Sequence, residues 1–152
     1  MNLYVFSCKT VTNIWAGIGA RQWAVSRDQA DNIPGLAGKA QTMPIGASGI
    51  IYCMPRQSFT TPFLVYSKPQ DGEDVTDVWP ETWTLPFRIH PLGTPCRMLH
   101  KDKLKSTLPT VMQSSKRWDH VLHIAGGTVF SPSIVKERDW EIILEQLGDG
   151  VE

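Results

Sequence analysis

The sequence predicts an α+β domain, a small curved mixed sheet or barrel flanked by helices. Three observations carry that expectation. Short apolar runs bounded by turn residues fill the middle of the chain, helical patterning sits towards the two ends, and a chain of 152 residues, 41% hydrophobic and 20% charged, can build one core. Residues 1–152 are therefore expected to form a single domain.

Taken in order, LYVFS (Leu3 to Ser7) reads as a short buried strand, being rich in β-branched and aromatic residues. TVTNIWAGIGA (Thr10 to Ala20) starts as a helical turn, and its two glycines predict a loop before the end. Gly17-Ile18-Gly19 lacks the third glycine and the βαβ context of a phosphate loop. QWAVS (Gln22 to Ser26) is a second short strand, and Arg27 to Ile45 a polar helix and loop punctuated by Gly and Pro.

GIIYCM (Gly49 to Met54) has the apolar continuity of a central strand, and FTTPFLVYS (Phe59 to Ser67) is its expected antiparallel partner, with Pro62 marking an edge or a bulge. The acidic stretch after Pro69 is an exposed loop, WTLPFRIHPL (Trp83 to Leu92) resumes strand character, and HVLHIAGG (His120 to Gly127) adds a further strand. The last helix has Ser133 as N-cap, an apolar face of Val135, Trp140, Ile143, Leu144 and Leu147, and Gly148 at its end.

Net charge is zero, yet the charges are segregated. Residues 1–70 hold six Lys or Arg against two Asp or Glu, 71–82 hold five acids and no base, 88–118 hold seven bases and one acid, and 119–152 are acidic. Such a chain can turn a cationic face to phosphates, although charge alone does not demand nucleic acid. The N-terminal stretch has no basic leader with a long apolar core, and no segment is long and apolar enough to span a membrane, so a cytoplasmic protein is expected.

Known catalytic and metal-binding spacings are absent. Cys8, Cys53 and Cys96 form no C-x-x-C pair and read as buried or inert thiols. His120 and His123 would point to opposite faces of a strand. Asp71, Glu73, Asp74 and Asp77 read as a solvated loop. No catalytic residue, metal or cofactor is expected, and the chain reads as a binding domain rather than an enzyme.

Six tryptophans against three tyrosines are the unusual feature. Trp140 fits the core face of the last helix and Trp118 the end of the sheet. Trp15, Trp79 and Trp83 lie in segments rich in Gly, Pro, Asp and Thr, where function is more at home than a core.

Asn13-Ile14-Trp15, the strand pair GIIYCM and FLVYS, and Val78-Trp79-Pro80-Glu81-Thr82-Trp83 leading into FRIHPL resemble the YTH and EVE families of PUA-like domains, and AGGTVFSPSIVKERDWEIILEQL resembles the closing strand and helix of EVE domains. The resemblance implies an aromatic cage around a flipped, modified base, formed by Trp15, Trp79 and Trp83, with Ala16 near the base edge. Lys9, Arg21, Arg88, Lys101, Lys103 and Lys105 are the candidates for holding the nucleic-acid backbone.

The function implied is a reader of 5-methylcytosine, 5-hydroxymethylcytosine or 6-methyladenine. DNA is favoured over RNA, as in the specificity modules of modification-dependent restriction systems, with a nuclease or AAA+ motor in cis or trans. The ending LEQLGDGVE reads as the point where the domain joins a longer chain. Three alternatives stay open: an RNA 6-methyladenine reader, a methylated-peptide module working by cation–π attraction, and an RNA-cleaving enzyme. Burial of all three tryptophans in the core of an unrelated domain would remove the cage altogether.

Overall fold

The computed structural model describes residues 1–149. Its elements are β1 (Asn2–Cys8), α1 (Val11–Ala20), β2 (Gln22–Ser26), α2 (Arg27–Asp31), α3 (Leu36–Ala40), β3 (Ser48–Cys53), β4 (Ser58–Val65), β5 (Asp74–Val75), β6 (Trp83–Pro91), β7 (Met98–His100), α4 (Leu104–Thr107), α5 (Pro109–Gln113), α6 (Trp118–Val121), β8 (Ser133–Ile134) and α7 (Glu137–Leu147). The strands make one mixed sheet in the order β2-β6-β4-β3-β1-β8, with β5 on β6 and β7 on β4. This is the α+β curved sheet that the sequence predicts.

The sheet divides two cores. Along β1, Tyr4, Phe6 and Cys8 face one and Leu3 and Val5 the other; along β3, Ile51 and Cys53 alternate with Ile50 and Tyr52. That period-2 alternation, apolar on both faces, is why these segments read as continuous apolar runs. The first core takes in Trp23, Phe63, Phe87 and Phe130 under α1 to α3, whereas the second lies under α4 to α7.

β1 runs parallel to β3, pairing Leu3 with Ser48 through to Cys8 with Cys53, and β3 pairs antiparallel with β4 as expected. Pro62 marks a bulge. Between the pairs Gly49–Phe63 and Ile51–Thr60 the partner strand β4 carries one extra residue, and Thr61 there has φ 53°. The same device recurs in β6, where Trp23 pairs with Phe87 and Val25 with Thr84 while Leu85, just before Pro86, has φ 57°. A proline in a bulge gives up no ladder donor, and the bulge bends its strand.

Three segments differ from the sequence reading. α1 continues to Ala20 instead of giving way to a loop, because Thr10 caps it through its side chain and Gly17 is needed for packing: a Cβ there would stand 2.6 Å from Trp23 Cε3. His120 to Gly127 is not a strand. Trp118–Val121 makes a single helical turn, while β8 takes the place beside β1 through Leu3 and Ser133. The last helix starts at Glu137 rather than after Ser133, since Lys136 N–H donates to the Asp139 carboxylate (2.7 Å) and Ser133 accepts instead from His123 N–H (2.8 Å).

Candidate functional site

The sheet curls without closing. β8 covers only Asn2 and Leu3 of β1, and β2 ends the other side of the strand order, so the outer edges of Val5 to Cys8 and of β2 are left unpaired in the sheet. Both edges line one cleft of about 1100 Å³, together with α1, the 80–83 segment and the 119–129 segment. A barrel gap of this kind combines apolar walls with unsatisfied backbone groups, the mixture that small ligands occupy.

A tryptophan cluster forms one wall. Trp79 and Trp83 stack face to face, with ring centroids 4.0 Å apart and an interplanar angle of 11°. Trp23 stands perpendicular to both, at 5.7 Å and 5.3 Å, which places it beside the stack rather than on top of it. All three are buried, and Trp23 and Trp83 line the cleft. β2 and β6 hold them: Trp83 pairs with Ser26, and the Leu85 bulge separates Trp83 from the regular ladder at Phe87.

The stack is tied to α1 by hydrogen bonds. Trp79 Nε1 donates to the Asn13 carbonyl (2.9 Å), Trp83 Nε1 donates to Glu81 Oε1 (2.9 Å), and Asn13 Nδ2 donates to the same oxygen (3.0 Å). Asn13 is in turn set by the cap, its N–H donating to Thr10 Oγ1 (3.0 Å). Both indole N–H groups of the stack thus have a partner, as burial requires.

Cys8 also lines the cleft, and burial pushes its thiol up to about 11, with Glu81 nearby adding in the same direction. A thiol held neutral in this way is a wall residue rather than a nucleophile. Cys53 is buried as well, and Cys96 is exposed. His120 lies on α6 and His123 just beyond it, not on the strand expected, and the His123 imidazole meets Ser131 O. Among the described residues no group of three His, Cys, Asp or Glu is placed to hold a metal ion, and no helix is long and apolar enough to cross a membrane.

Of the residues singled out in the sequence, Trp79 and Trp83 come together, but against each other, which leaves no slot for a base between them. Trp15 is 44% exposed and does not line the cleft, and Ala16 packs on the first core. Trp15 follows Thr12, a cleft residue, by three positions on α1, so it stands beside the mouth. Trp23, Asn13 and Glu81 were missed. Trp23 looked like an ordinary strand residue, and the glycine six residues before it was the one signal of a close approach.

The cations separate into two groups. Lys9 lines the cleft; Arg56, in the β3–β4 turn, and Lys101 share its end of the sheet, since Cys8 pairs with Cys53, Ser58 pairs with His100 and Lys101 N–H donates to the Gln57 carbonyl (2.9 Å). Lys103 and Lys105 follow Lys101 on the short helical turns after β7. Arg21 and Arg88 flank the other end of β2, five residues along β6 from Trp83, or roughly 16 Å at strand rise.

No family model matches the sequence, and no curated protein does either. Solved structures do. The chain aligns with the YTH domain of Zygosaccharomyces rouxii MRB1, in complex with N6-methyladenosine RNA, over 99% of its own length and 89% of that chain, with a TM-score of 0.57 and 14% identity. The fold is that of YTH domains. An Mmi1 YTH domain in complex with RNA (TM-score 0.56, 13% identity, 99% and 84% covered) and the Toxoplasma CPSF4 YTH domain in its apo form (0.55, 14%, 97% and 88%) agree with it. The YTH fold therefore organises the aromatic cleft as a gap in its curled sheet.

Proposed function

We propose that the protein reads a methylated base in single-stranded RNA, taking the base into the cleft against Trp83 and Trp23. The observation that carries this is the tryptophan cluster in the wall of a cleft of about 1100 Å³, on a fold whose solved neighbours include two YTH domains in complex with RNA, one of them N6-methyladenosine RNA. Those neighbours favour RNA over the DNA that the sequence suggested. The duplex-DNA, restriction-module reading rests on the EVE likeness of the sequence and on its lack of catalytic groups.

Stacking on an indole contributes about 1–3 kcal/mol per base, and a buried methyl group adds about 0.8 kcal/mol. Together these offset the cost of unstacking a nucleotide. Lys9, Arg56 and Lys101 would hold backbone phosphates at the mouth, and Trp15 would stack on a flanking base. The role is binding rather than turnover, a reading that the RNA-bound YTH neighbours support.

Fluorescence titration of single-stranded RNAs identical except for one adenine or N6-methyladenine tests the reading, with duplex DNA carrying 5-methylcytosine or N6-methyladenine alongside. Methyl-dependent RNA binding, lost in Trp83→Ala and weakened severalfold in Trp15→Ala with the fold intact, is expected. Affinity blind to methylation would sink it, and tighter binding of methylated duplex DNA would return the protein to the restriction reading.

A further inference from the structure

The charge beside the indoles of the cleft has the wrong sign for phosphate. The acidic side chains of the cleft are the exposed Asp28 and Glu81 and the Arg117-paired Asp119, its basic ones Lys9 and the titratable His120, so the lining next to the indoles carries a carboxylate rather than a cation for phosphate. Glu81 is held in place beside the tryptophans: Oε1 accepts from both Trp83 Nε1 and Asn13 Nδ2, and Oε2 has no protein partner among the described residues. Asp119, also in the lining, has Oδ1 buried without a donor among the described residues, while its Oδ2 accepts from Arg117 (3.1 Å), so its charge is largely balanced and Glu81 is the carboxylate beside the indoles.

An indole face and a fixed carboxylate together favour a flat cation, the first through its quadrupole and the second through its charge. On the reading of the cleft as a base site, we infer that Glu81 makes it select a ring-methylated base carrying positive charge, such as N1-methyladenine or N7-methylguanine, over a neutral methylated base. The Glu81 carboxylate would cost affinity if phosphate were the group admitted, and it gains affinity if a cationic base is. The pull on Cys8 is the same field acting on another ionisable group: Glu81 raises the thiol further by disfavouring a second negative charge.

N1-methyladenine and N6-methyladenine are isomers, equal in size and differing in charge at neutral pH, so they separate charge from methyl burial. Single-stranded RNAs carrying adenine, N6-methyladenine or N1-methyladenine at one position would be titrated at pH 7 against wild type and Glu81→Gln. Glutamine keeps the oxygen that accepts from Trp83 and Asn13, and an unchanged melting temperature would confirm that the wall stands.

The expected result is about tenfold tighter binding of the N1-methyl isomer by wild type, falling to near parity in Glu81→Gln. N6-methyladenine bound as tightly as its isomer by wild type, or a preference undiminished in the variant, would overturn the inference and leave the methylated-base reading in place. Indifference to all three bases would remove that reading and this inference with it.

Discussion

The two faces of the sheet are built from the same alternating strands and are used differently. On the face under α4 to α7, Leu3, Val5, Ile50, Leu104 and Ile143, with the aromatic trio Tyr52, Phe59 and Trp118, close a core that no strand edge opens among the described residues. On the other face the core takes in three tryptophans, and its wall opens where β1 and β2 fail to pair, with Trp79 and Trp83 tied by hydrogen bonds to Asn13 of α1 and to Glu81, and Trp23 packed edge-on against both. The closed face buys stability. The open one brings polar and aromatic groups to a cleft, and hydrogen bonds add to core packing in fixing their positions.

The sharpest way to break this comparison is at its two centres. Trp23→Ala, which removes a buried indole touching both members of the stack, is expected to cost about 3–5 kcal/mol in denaturant unfolding and to abolish methylated-base binding by the folded fraction. Ile143→Ala on the closed face is expected to cost about 2–5 kcal/mol and to leave that affinity unchanged. A loss of affinity from Ile143→Ala, measured on fully folded protein, would mean that the faces are not separable.

A smaller effect sharpens the comparison through pH. Desolvation raises Cys8 from an ordinary 9.0 to about 11. The unfolded thiol ionises first, so the contribution is fully present below pH 9 and is lost as pH rises towards 11, by up to about 3 kcal/mol. Burial raises Tyr4 and Tyr52 in the same alkaline direction, so the readout is the difference between wild type and Cys8→Ala in melts across pH 8 to 11. Identical alkaline slopes would show that Cys8 ionises as readily folded as unfolded.

Much of the fold is legible in the sequence because its signals are local. The apolar run of β3, its β4 partner, the bulge at Pro62 and the apolar face of α7 follow from periodicity and from a proline's missing N–H. The strand expected at His120 to Gly127 and the cap expected at Ser133 did not form, because the place beside β1 went to Ser133–Ile134, a competition that no local pattern reveals. The site divides the same way. Trp79 and Trp83 stand out in a polar segment, yet both are buried in the core and only Trp83 lines the cleft, whereas Trp15 was chosen over Trp23 on motif and proved to lie on the exposed side of its helix.

What the sequence by itself determined is the α+β class, the central strand pair, the aromatic surplus and the segregation of charge, all properties of composition or of neighbours along the chain. Tertiary structure alone decided which tryptophans meet, which cations reach the cleft and that Glu81 sits against the stack. Those contacts join α1, β2 and the 79–83 segment across up to 68 positions, as in Asn13 to Glu81, and they exist because the sheet curls until β1 and β2 face each other across the gap that remains.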